Sequence, residues 1–189
     1  REMRIVARLM LEDGLTDPAE LATYVQEHNA FQYPTERMLK SIAKACARRI
    51  ASVSDDPAIT QRLTQLIAQG TADQLRQATL YAMMCDNRLV WEFMLNVVAD
   101  KQRRLDRSLH AYEIASFIEG LRAQSEAVDS WSGATRNKIR QVLTKCIEEC
   151  GMYNRKEEEL LPILADFELS QIIRANGDGR ALAAFGMAE

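Results

Sequence analysis

The sequence predicts an all-α protein, a compact multi-helix globule, on three observations. Apolar residues recur at helical spacing through nearly the whole chain. Gly and Pro are scarce, at eight and four of 189 residues, which favours helices joined by short turns. Hydrophobic residues make up 47% and charged residues 27%, a composition too apolar for disorder. The length suffices for one domain with a real core, or for two small lobes.

The first part of the chain is predicted to hold four helices. The first stops before Asp13-Gly14, and the second opens at Asp17-Pro18, a capping residue followed by Pro at the first helical position. Thr35 is expected to cap the third. The fourth opens at Ser54-Asp55-Asp56-Pro57 and ends at Gly70. The apolar positions that define them are Ile5, Val6, Leu9 and Met10; Leu21, Tyr24 and Val25; Met38, Leu39, Ile42, Cys46 and Ile50; and Ile59, Leu63, Leu66 and Ile67.

Five further helices are predicted after Gly70. They run from Thr71 to about Cys85, Asn87 to about Arg107, Ala111 to Arg122, Ser132 to Cys150, and about Phe167 to Ala175. The second is the most apolar segment and is the expected core helix. Residues 152–163, after a helix-ending Gly151, are compatible with a short hairpin. The weakest point lies near Gly70, which predicts lobes 1–70 and 71–189 that are also compatible with one domain.

The sequence favours a cytoplasmic protein. No apolar run approaches the ~20 residues that a membrane span needs. Charges interrupt the apolar positions of residues 1–8, unlike the pattern of a secretory signal. All four cysteines, Cys46, Cys85, Cys146 and Cys150, fall inside helical patterns, where they are expected to be buried thiols in a reducing compartment.

Positive charge is concentrated on particular helix faces. The net charge of −3 argues against binding nucleic acid through bulk charge. On the third helix, a cationic row without carboxylates lies opposite the apolar face; it consists of Arg37, Lys40, Lys44 and Arg48. Such cations repel one another, which a protein tolerates more readily where an anion binds. A second stripe, on the first helix, contains Arg1, Arg4 and Arg8.

The helix after Ser132 is predicted to carry a similar face. Its core side consists of Ile139, Val142, Leu143, Cys146, Ile147 and Cys150. Asn137, Gln141 and Thr144 lie at the centre of the opposite side, with Arg136, Lys138, Arg140 and Lys145 at its borders. Asn and Gln amides can bond bidentately to adenine in the major groove, and the cations suit phosphate or guanine. The sequence therefore predicts a recognition helix, although a solvated charged face is the alternative.

Two helix-turn-helix-like elements follow from this charge pattern. One pairs residues 19–26 with residues 35–50, and the other pairs residues 111–122 with residues 132–150. In each, the second helix carries the cationic face. Both intervening turns are longer than the 3–4 residues of a tight helix-turn-helix, so the match is loose.

The sequence shows no catalytic constellation. His28 and His110 have no Cys or carboxylate at metal-ligand spacing, and Cys146 with Cys150 would need two further ligands. The run Glu157-Glu158-Glu159 is more often a solvated stretch than a nuclease centre. There is neither a Gly-rich phosphate loop nor a nucleophile elbow. We therefore expect no enzyme, no cofactor, no metal and no small-molecule substrate.

Three segments carry a family resemblance. Residues 4–12 (RIVARLMLE), residues 89–98 (LVWEFMLNVV), and WSGATRNK from Trp131 running on to Gly151 resemble the BrxA family of bacteriophage exclusion (BREX) systems. The resemblance spans almost the whole chain. It implies an all-α fold likened to the antitermination factor NusB, binding to double-stranded DNA, and work alongside a methyltransferase, an ATPase, a phosphatase-like component and other BREX proteins.

The sequence-based hypothesis is thus a non-catalytic double-stranded DNA-binding protein of phage defence. The expected DNA-binding residues are Arg4, Arg8, Arg37, Lys40, Lys44, Arg48, Arg136, Asn137, Lys138, Arg140, Gln141 and Lys145. Two alternatives stay open: an adaptor whose cationic faces dock acidic partner subunits, and an RNA-binding protein as the NusB likeness suggests.

Overall fold

The computed structural model describes residues 1–187 and confirms the all-α class. Those residues form two compact units. The first contains residues 1–87 and 166–178, and the second contains residues 88–165 together with the residues from Gly179 onward. The first unit also includes two helices that follow Gly70, Ala72–Asp86 and Phe167–Ala175, and both pack on the helix Pro57–Gln69. The division into lobes 1–70 and 71–189 stays a prediction. The likeness to NusB stays a prediction.

The first unit is a helical bundle, and four of its six helices begin at a residue whose side chain caps the helix. Its elements are α1 (Glu2–Glu12), α2 (Pro18–Glu27), α3 (Glu36–Ala51), α4 (Pro57–Gln69), α5 (Ala72–Asp86) and α11 (Phe167–Ala175). Asp17 and Asp56 each accept a hydrogen bond from the first turn of the helix that follows, which in both cases starts with Pro. Thr71 and Gln74 form a capping box on α5. These local signals explain why those helix starts are confirmed. Thr35 precedes α3 as expected, but its side chain makes no capping hydrogen bond.

The core of the first unit forms where α1 packs on α3 and α4 and where α2 packs on α3. Each helix contributes one apolar stripe. Large side chains with almost no exposure include Val6, Leu21, Phe31, Ile50, Leu63, Ile67 and Tyr81. Burying a side chain of this size stabilises the fold by roughly 1.5–3 kcal/mol.

A polar network joins the end of α11 to α5 within this unit. The Tyr81 hydroxyl donates to Asp178 Oδ2 at 2.6 Å. The Asn176 amide donates to the same carboxylate at 2.8 Å and to the carbonyl of Val53 at 2.8 Å. Burial, first among several causes, raises the pKa of Tyr81 far above its usual value. The phenol therefore stays a hydrogen-bond donor and the buried polar groups are satisfied.

The second unit is helical apart from one small hairpin. Its elements are α6 (Arg88–Phe93), a π-helical turn (Met94–Val98), α7 (Ala99–Arg103), α8 (Ala111–Arg122), α9 (Glu126–Asp129), α10 (Gly133–Glu149), β1 (Tyr153–Asn154), β2 (Glu159–Leu160) and a 3-10 helix (Gly179–Phe185). The strands pair antiparallel, with Tyr153 opposite Leu160, which confirms the hairpin.

Two predictions for this unit need correction. The helix expected from Asn87 to Arg107 ends at Arg103, after the π-helical turn, because Leu105 takes a left-handed conformation at φ +57°. Residues 179–185, where no helix is predicted, form the 3-10 helix and bury Leu182 and Phe185. Among residues 1–187, no helix has both the length and the apolar character to cross a membrane.

Candidate nucleic-acid interface

The outer face of α3 presents three exposed cations. Arg37, Lys40 and Lys44 are exposed, and none makes a salt bridge within residues 1–187. The opposite side of the helix is buried through Leu39, Ala43, Cys46, Ala47 and Ile50. Burial of that stripe fixes which way the cations point, since residues three and four apart share a face. We call Arg37, Lys40 and Lys44 the α3 row.

Arg48, the fourth predicted member of this face, is engaged within the protein. Its guanidinium donates to both carboxylate oxygens of Asp86 on α5, at 2.8 and 2.9 Å. Hydrogen bonding from Arg48, first among several causes, lowers the pKa of Asp86. Arg48 therefore links α3 to α5. Met38, predicted to face the core, is 43% exposed because it lies at the edge of the buried stripe.

Arg4 and Arg8 are also engaged within the protein. Arg4 donates to the carbonyls of Ile67, Gly70 and Thr71 at 3.3, 2.6 and 3.2 Å. Arg8 donates to the carbonyl of Ala68 at 3.2 Å. The last carbonyls of a helix lack partners within it and carry partial negative charge, so these arginines cap the end of α4. Arg4 is half-buried and Arg8 is exposed, so these bonds engage both side chains but leave Arg8 accessible to solvent.

Helix α10 holds the second predicted face, and the structure exposes most of it. Asn137, Lys138, Gln141 and Lys145 are exposed, while Arg140 is half-buried. Lys138 and Arg140 make no salt bridge within residues 1–187. Lys145 pairs with Glu149 at 3.3 Å, with both side chains exposed. The central amides and two of the bordering cations are thus available to a ligand.

Two residues of α10 depart from their predicted positions. Arg136 donates to the carbonyl of Trp131 at 2.6 Å and lies 3.4 Å from the carboxylate of Glu119, which ties it to α8. Val142, expected on the core side, is 42% exposed. Only a narrow stripe of α10 is buried, at Leu143, Cys146 and Ile147.

The hairpin places a further cation beside α10 that the sequence-based prediction missed. Arg155, which follows β1, lines a small surface cavity of about 160 Å³ together with Arg140, Gln141 and Thr144. It also lines a broader hollow of about 550 Å³ with Lys138 and Lys145, and Glu148 and Glu149 line the same hollow. The pair Arg155-Lys156 just after Gly151 was the available signal. A helical pattern does not predict where this pair lies, because its position depends on how the hairpin folds back.

A third group of cations on the chain consists of Lys101, Arg103, Arg104 and Arg107. All except Arg107 are internal or paired, and Arg107 is exposed without a salt bridge within residues 1–187. Lys101 is only 8% exposed, and its ammonium lies 2.8 Å from Asp106 and 2.7 Å from Glu113. Arg103 and Arg104 both pair with Asp100. This cluster therefore adds little free positive charge to the second unit.

The helix pairs proposed as helix-turn-helix-like are adjacent in space. Helices α2 and α3 pack closely, and so do α8 and α10. Residues 28–35 join the first pair, and residues 123–132, which include α9, join the second. Both connections are longer than a tight helix-turn-helix turn, so that assignment stays a prediction.

The second unit also contains an open cleft of about 760 Å³. Its apolar lining includes Phe117, Leu121, Val128 and Trp131, and its polar lining includes Arg88 and Asn96. Asn96 lies in the π-helical turn. Turns of this kind are rare and often accompany functional sites.

The histidines are held by ordinary contacts. His28 stacks on Tyr24 and lies 2.9 Å from its carbonyl, and His110 lies 2.8 Å from Glu158. Over residues 1–187, no group of three or more His, Cys, Asp or Glu is arranged to hold a metal ion. No disulfide forms within residues 1–187, and all four cysteines except the half-buried Cys85 are buried.

Comparison with known proteins agrees with this fold. A family model described as BrxA matches residues 1–177. A protein of Bacillus cereus named BREX protein BrxA is 31% identical over 180 residues, covering 94% of this chain and 86% of that protein. A protein of the same name from Escherichia coli is 28% identical over 153 residues, covering 80% of this chain and 67% of that protein.

A solved structure shares the fold. The crystal structure of an uncharacterized protein from Magnetospirillum magneticum superposes with a TM-score of 0.78 at 22% identity. The match covers 97% of this chain and 90% of that chain. At this identity the likeness concerns the fold alone.

Proposed function

The chain belongs to the BrxA family, and from that premise we propose that it is a non-catalytic component of BREX phage defence that binds double-stranded DNA. The expected partners are duplex DNA and other BREX proteins, including the methyltransferase, ATPase and phosphatase-like component that the resemblance implies. In this proposal the protein binds DNA and catalyses no reaction on it.

The observation that carries the proposal is the α3 row. Three cations along one helix face repel one another and, in this structure, have no carboxylate to neutralise them. Residues 37–44 span about 10 Å of helix, over which a DNA duplex presents on the order of six phosphate charges. A polyanion would therefore relieve the repulsion along the whole row.

Helix α10 supports the same function with a different chemistry. Asn137 and Gln141 lie one turn apart on its exposed face, with Lys138 and Arg140 beside them. In the major groove such amides can read adenine, while the cations bind phosphates. We assign phosphate binding to the α3 row, Lys138 and Arg140, and base contact to Asn137 and Gln141.

The test is a fluorescence-anisotropy titration of a labelled DNA duplex at several salt concentrations. Two double variants probe the faces, Lys40→Gln/Lys44→Gln on α3 and Lys138→Gln/Arg140→Gln on α10. Arg103→Gln/Arg104→Gln is the matched control, because it removes the same charge from residues already paired with Asp100. We expect wild-type affinity to fall steeply with salt, and each face variant to flatten that dependence by about 2 in slope if both of its cations contact phosphate.

Two outcomes would contradict the proposal. One is a wild-type protein that binds no duplex at low salt. The other is a structured RNA that competes with the duplex at much lower concentration, which would favour the RNA-binding alternative. If the control variant loses as much DNA affinity as the face variants, the loss reflects net charge and not contact with a particular face.

A second candidate function, a protein-interaction adaptor, rests on the cleft of the second unit. Its aromatic and aliphatic lining beside polar groups resembles the anchor pockets of protein interfaces. Pull-down of BREX subunits with wild type and with Trp131→Ala would test it. Loss of a partner by Trp131→Ala, with DNA affinity unchanged, would support an adaptor role separate from the cationic faces.

A further inference from the structure

The β1–β2 hairpin follows α10 after a sharply defined turn. Gly151, at φ +78°, ends the helix, and its N–H donates to the carbonyl of Glu148 at 3.0 Å. The N–H of Met152 donates back to the carbonyl of Ile147 at 2.9 Å. These two bonds form a Schellman motif, for which a left-handed Gly is suited. The chain therefore leaves α10 in one defined direction.

Hydrogen bonds on its other side hold the hairpin in place. The N–H of Leu160 donates to the carbonyl of Arg107, and the N–H of Leu109 donates to the carbonyl of Glu158 at 2.8 Å. The buried hydroxyl of Tyr153 donates to the carbonyl of Leu109 at 2.9 Å. The segment before α8 thus pairs with the hairpin. The hairpin is a fixed part of the second unit, beside α10.

The turn of this hairpin carries two exposed cations. Asn154 Oδ1 accepts from the backbone N–H groups of Lys156 and Glu157, which shapes the turn. Arg155 and Lys156 are exposed and make no salt bridge within residues 1–187. The neighbouring carboxylate of Glu158 bonds to His110 and to the N–H of Ala111. Glu158 lines the smaller cavity with Arg155 and Arg140, but it makes no salt bridge to either within residues 1–187.

We propose that this turn is a second phosphate-binding element, which acts together with the exposed face of α10 on one DNA duplex. Arg155 lines the same surface hollows as Lys138, Arg140 and Gln141. A helix whose amides face the groove leaves the flanking phosphate backbone within reach of an element beside it. Arg155 and Lys156 are placed to bind that backbone, adding affinity without base specificity.

Two acidic residues nearby limit the surface that the DNA can cover. Glu148 and Glu149, at the C-terminal end of α10, also line the broader hollow, and a phosphate would be repelled there. The DNA backbone should therefore run past Arg155 on the side of Lys138 and Arg140. This inference rests on the proposed DNA binding, and it commits to duplex DNA as the ligand.

The experiment compares Arg155→Gln/Lys156→Gln with wild type, with Lys138→Gln/Arg140→Gln and with the control Arg103→Gln/Arg104→Gln, using the same labelled duplex. We expect the hairpin variant to lose on the order of tenfold or more in affinity at moderate salt and to flatten the salt slope by about 2. The ratio of affinities for two unrelated duplex sequences should stay unchanged. Arg155→Lys should retain most of the binding.

The outcomes separate the two proposals. If wild type and the α10 variant behave as expected but the hairpin variant matches wild type, the hairpin assignment is overturned and DNA binding stands. If the control loses as much as the hairpin variant, the hairpin assignment also fails. If wild type binds no duplex, both proposals fail. Thermal unfolding of each variant, expected to match wild type, verifies that the fold is intact.

Discussion

Arg48 on α3 and Asp86 on α5 form a two-point contact, in which the guanidinium reaches both carboxylate oxygens at 2.8 and 2.9 Å. The Ser52 hydroxyl donates to the same carboxylate at 3.2 Å. The side chain of Asp86 is only 8% exposed, whereas that of Arg48 is 66% exposed. The pair joins the helix of the cationic row to the end of its neighbour.

Asp86→Asn should lower the free energy of unfolding by roughly 1 kcal/mol at neutral pH, since water around the exposed Arg48 limits the pair. Arg48 holds the pKa of Asp86 below its ordinary 3.8 in the folded state. This stabilisation is therefore complete above the unfolded pKa and is lost as the pH falls through the folded pKa. Urea unfolding of wild type and variant at about pH 7 and about pH 3 measures the difference, which should shrink in acid. A difference that grows in acid would contradict this assignment.

Arg4→Gln and Lys40→Gln should have opposite effects although both remove one positive charge. Arg4 caps the end of α4 through three carbonyls, so its loss should destabilise the first unit by roughly 1–3 kcal/mol and change DNA affinity little. Lys40 is exposed and unpaired, so its loss should leave stability within about 0.5 kcal/mol and weaken DNA binding. Thermal unfolding and DNA anisotropy titrations of both variants test this prediction. If Lys40→Gln lowers stability and leaves DNA binding unchanged, Lys40 is not part of the DNA-binding site.

The sequence predicts the helices closely because their starts and ends are local signals. The starts at Asp17-Pro18 and Thr71 and the end at Gly151 are all confirmed where the pattern placed them. For the hairpin, the sequence shows only that residues 152–163 are compatible with one. The reason is that its two-residue strands bury one apolar side chain each, Tyr153 and Leu160.

The candidate site is predicted less well than the helices, because the partners of its residues lie far away in the sequence. A helical wheel gives the direction of a side chain from its own axis, but not which neighbour meets it. Arg4 bonds to a carbonyl 66 residues away, and Arg48 bonds to a carboxylate 38 residues away. Neither partner is visible in a local pattern. Arg155 is missed for the same reason, because its place beside α10 depends on the hairpin's contacts with residues 107–109.

Gly70→Ala should be destabilising even though the backbone there has an ordinary φ of −65°. A Cβ at this position would clash with the carbonyl oxygen of Leu66, so the end of α4 would have to shift. We expect a loss above about 1 kcal/mol. Gly120→Ala is the matched control in α8, where a Cβ meets nothing within 4 Å and should stabilise by up to about 1 kcal/mol. Equal unfolding midpoints for the two variants would contradict the expected clash.

Glu149→Gln should raise DNA affinity, because Glu149 holds Lys145 in an exposed salt bridge at 3.3 Å and itself repels phosphate. The substitution frees a cation on the proposed face and removes a negative charge from the end of a helix, where it is unfavourable. An exposed pair of this spacing contributes only about 0.3–0.5 kcal/mol, so folding stability should hardly change. We expect affinity to rise several-fold at low salt, with the gain disappearing as salt increases.

Asp73→Asn is the matched control for Glu149→Gln, since it changes net charge equally and frees Arg76 from an exposed pair at 3.0 Å on α5. Anisotropy titrations of both variants at two salt concentrations make the comparison. If the two raise affinity equally, bulk charge is responsible and α10 is not singled out. If Glu149→Gln alone tightens binding, the phosphate backbone passes close enough to Lys145 for the salt bridge to compete with DNA, and α10 is part of the interface.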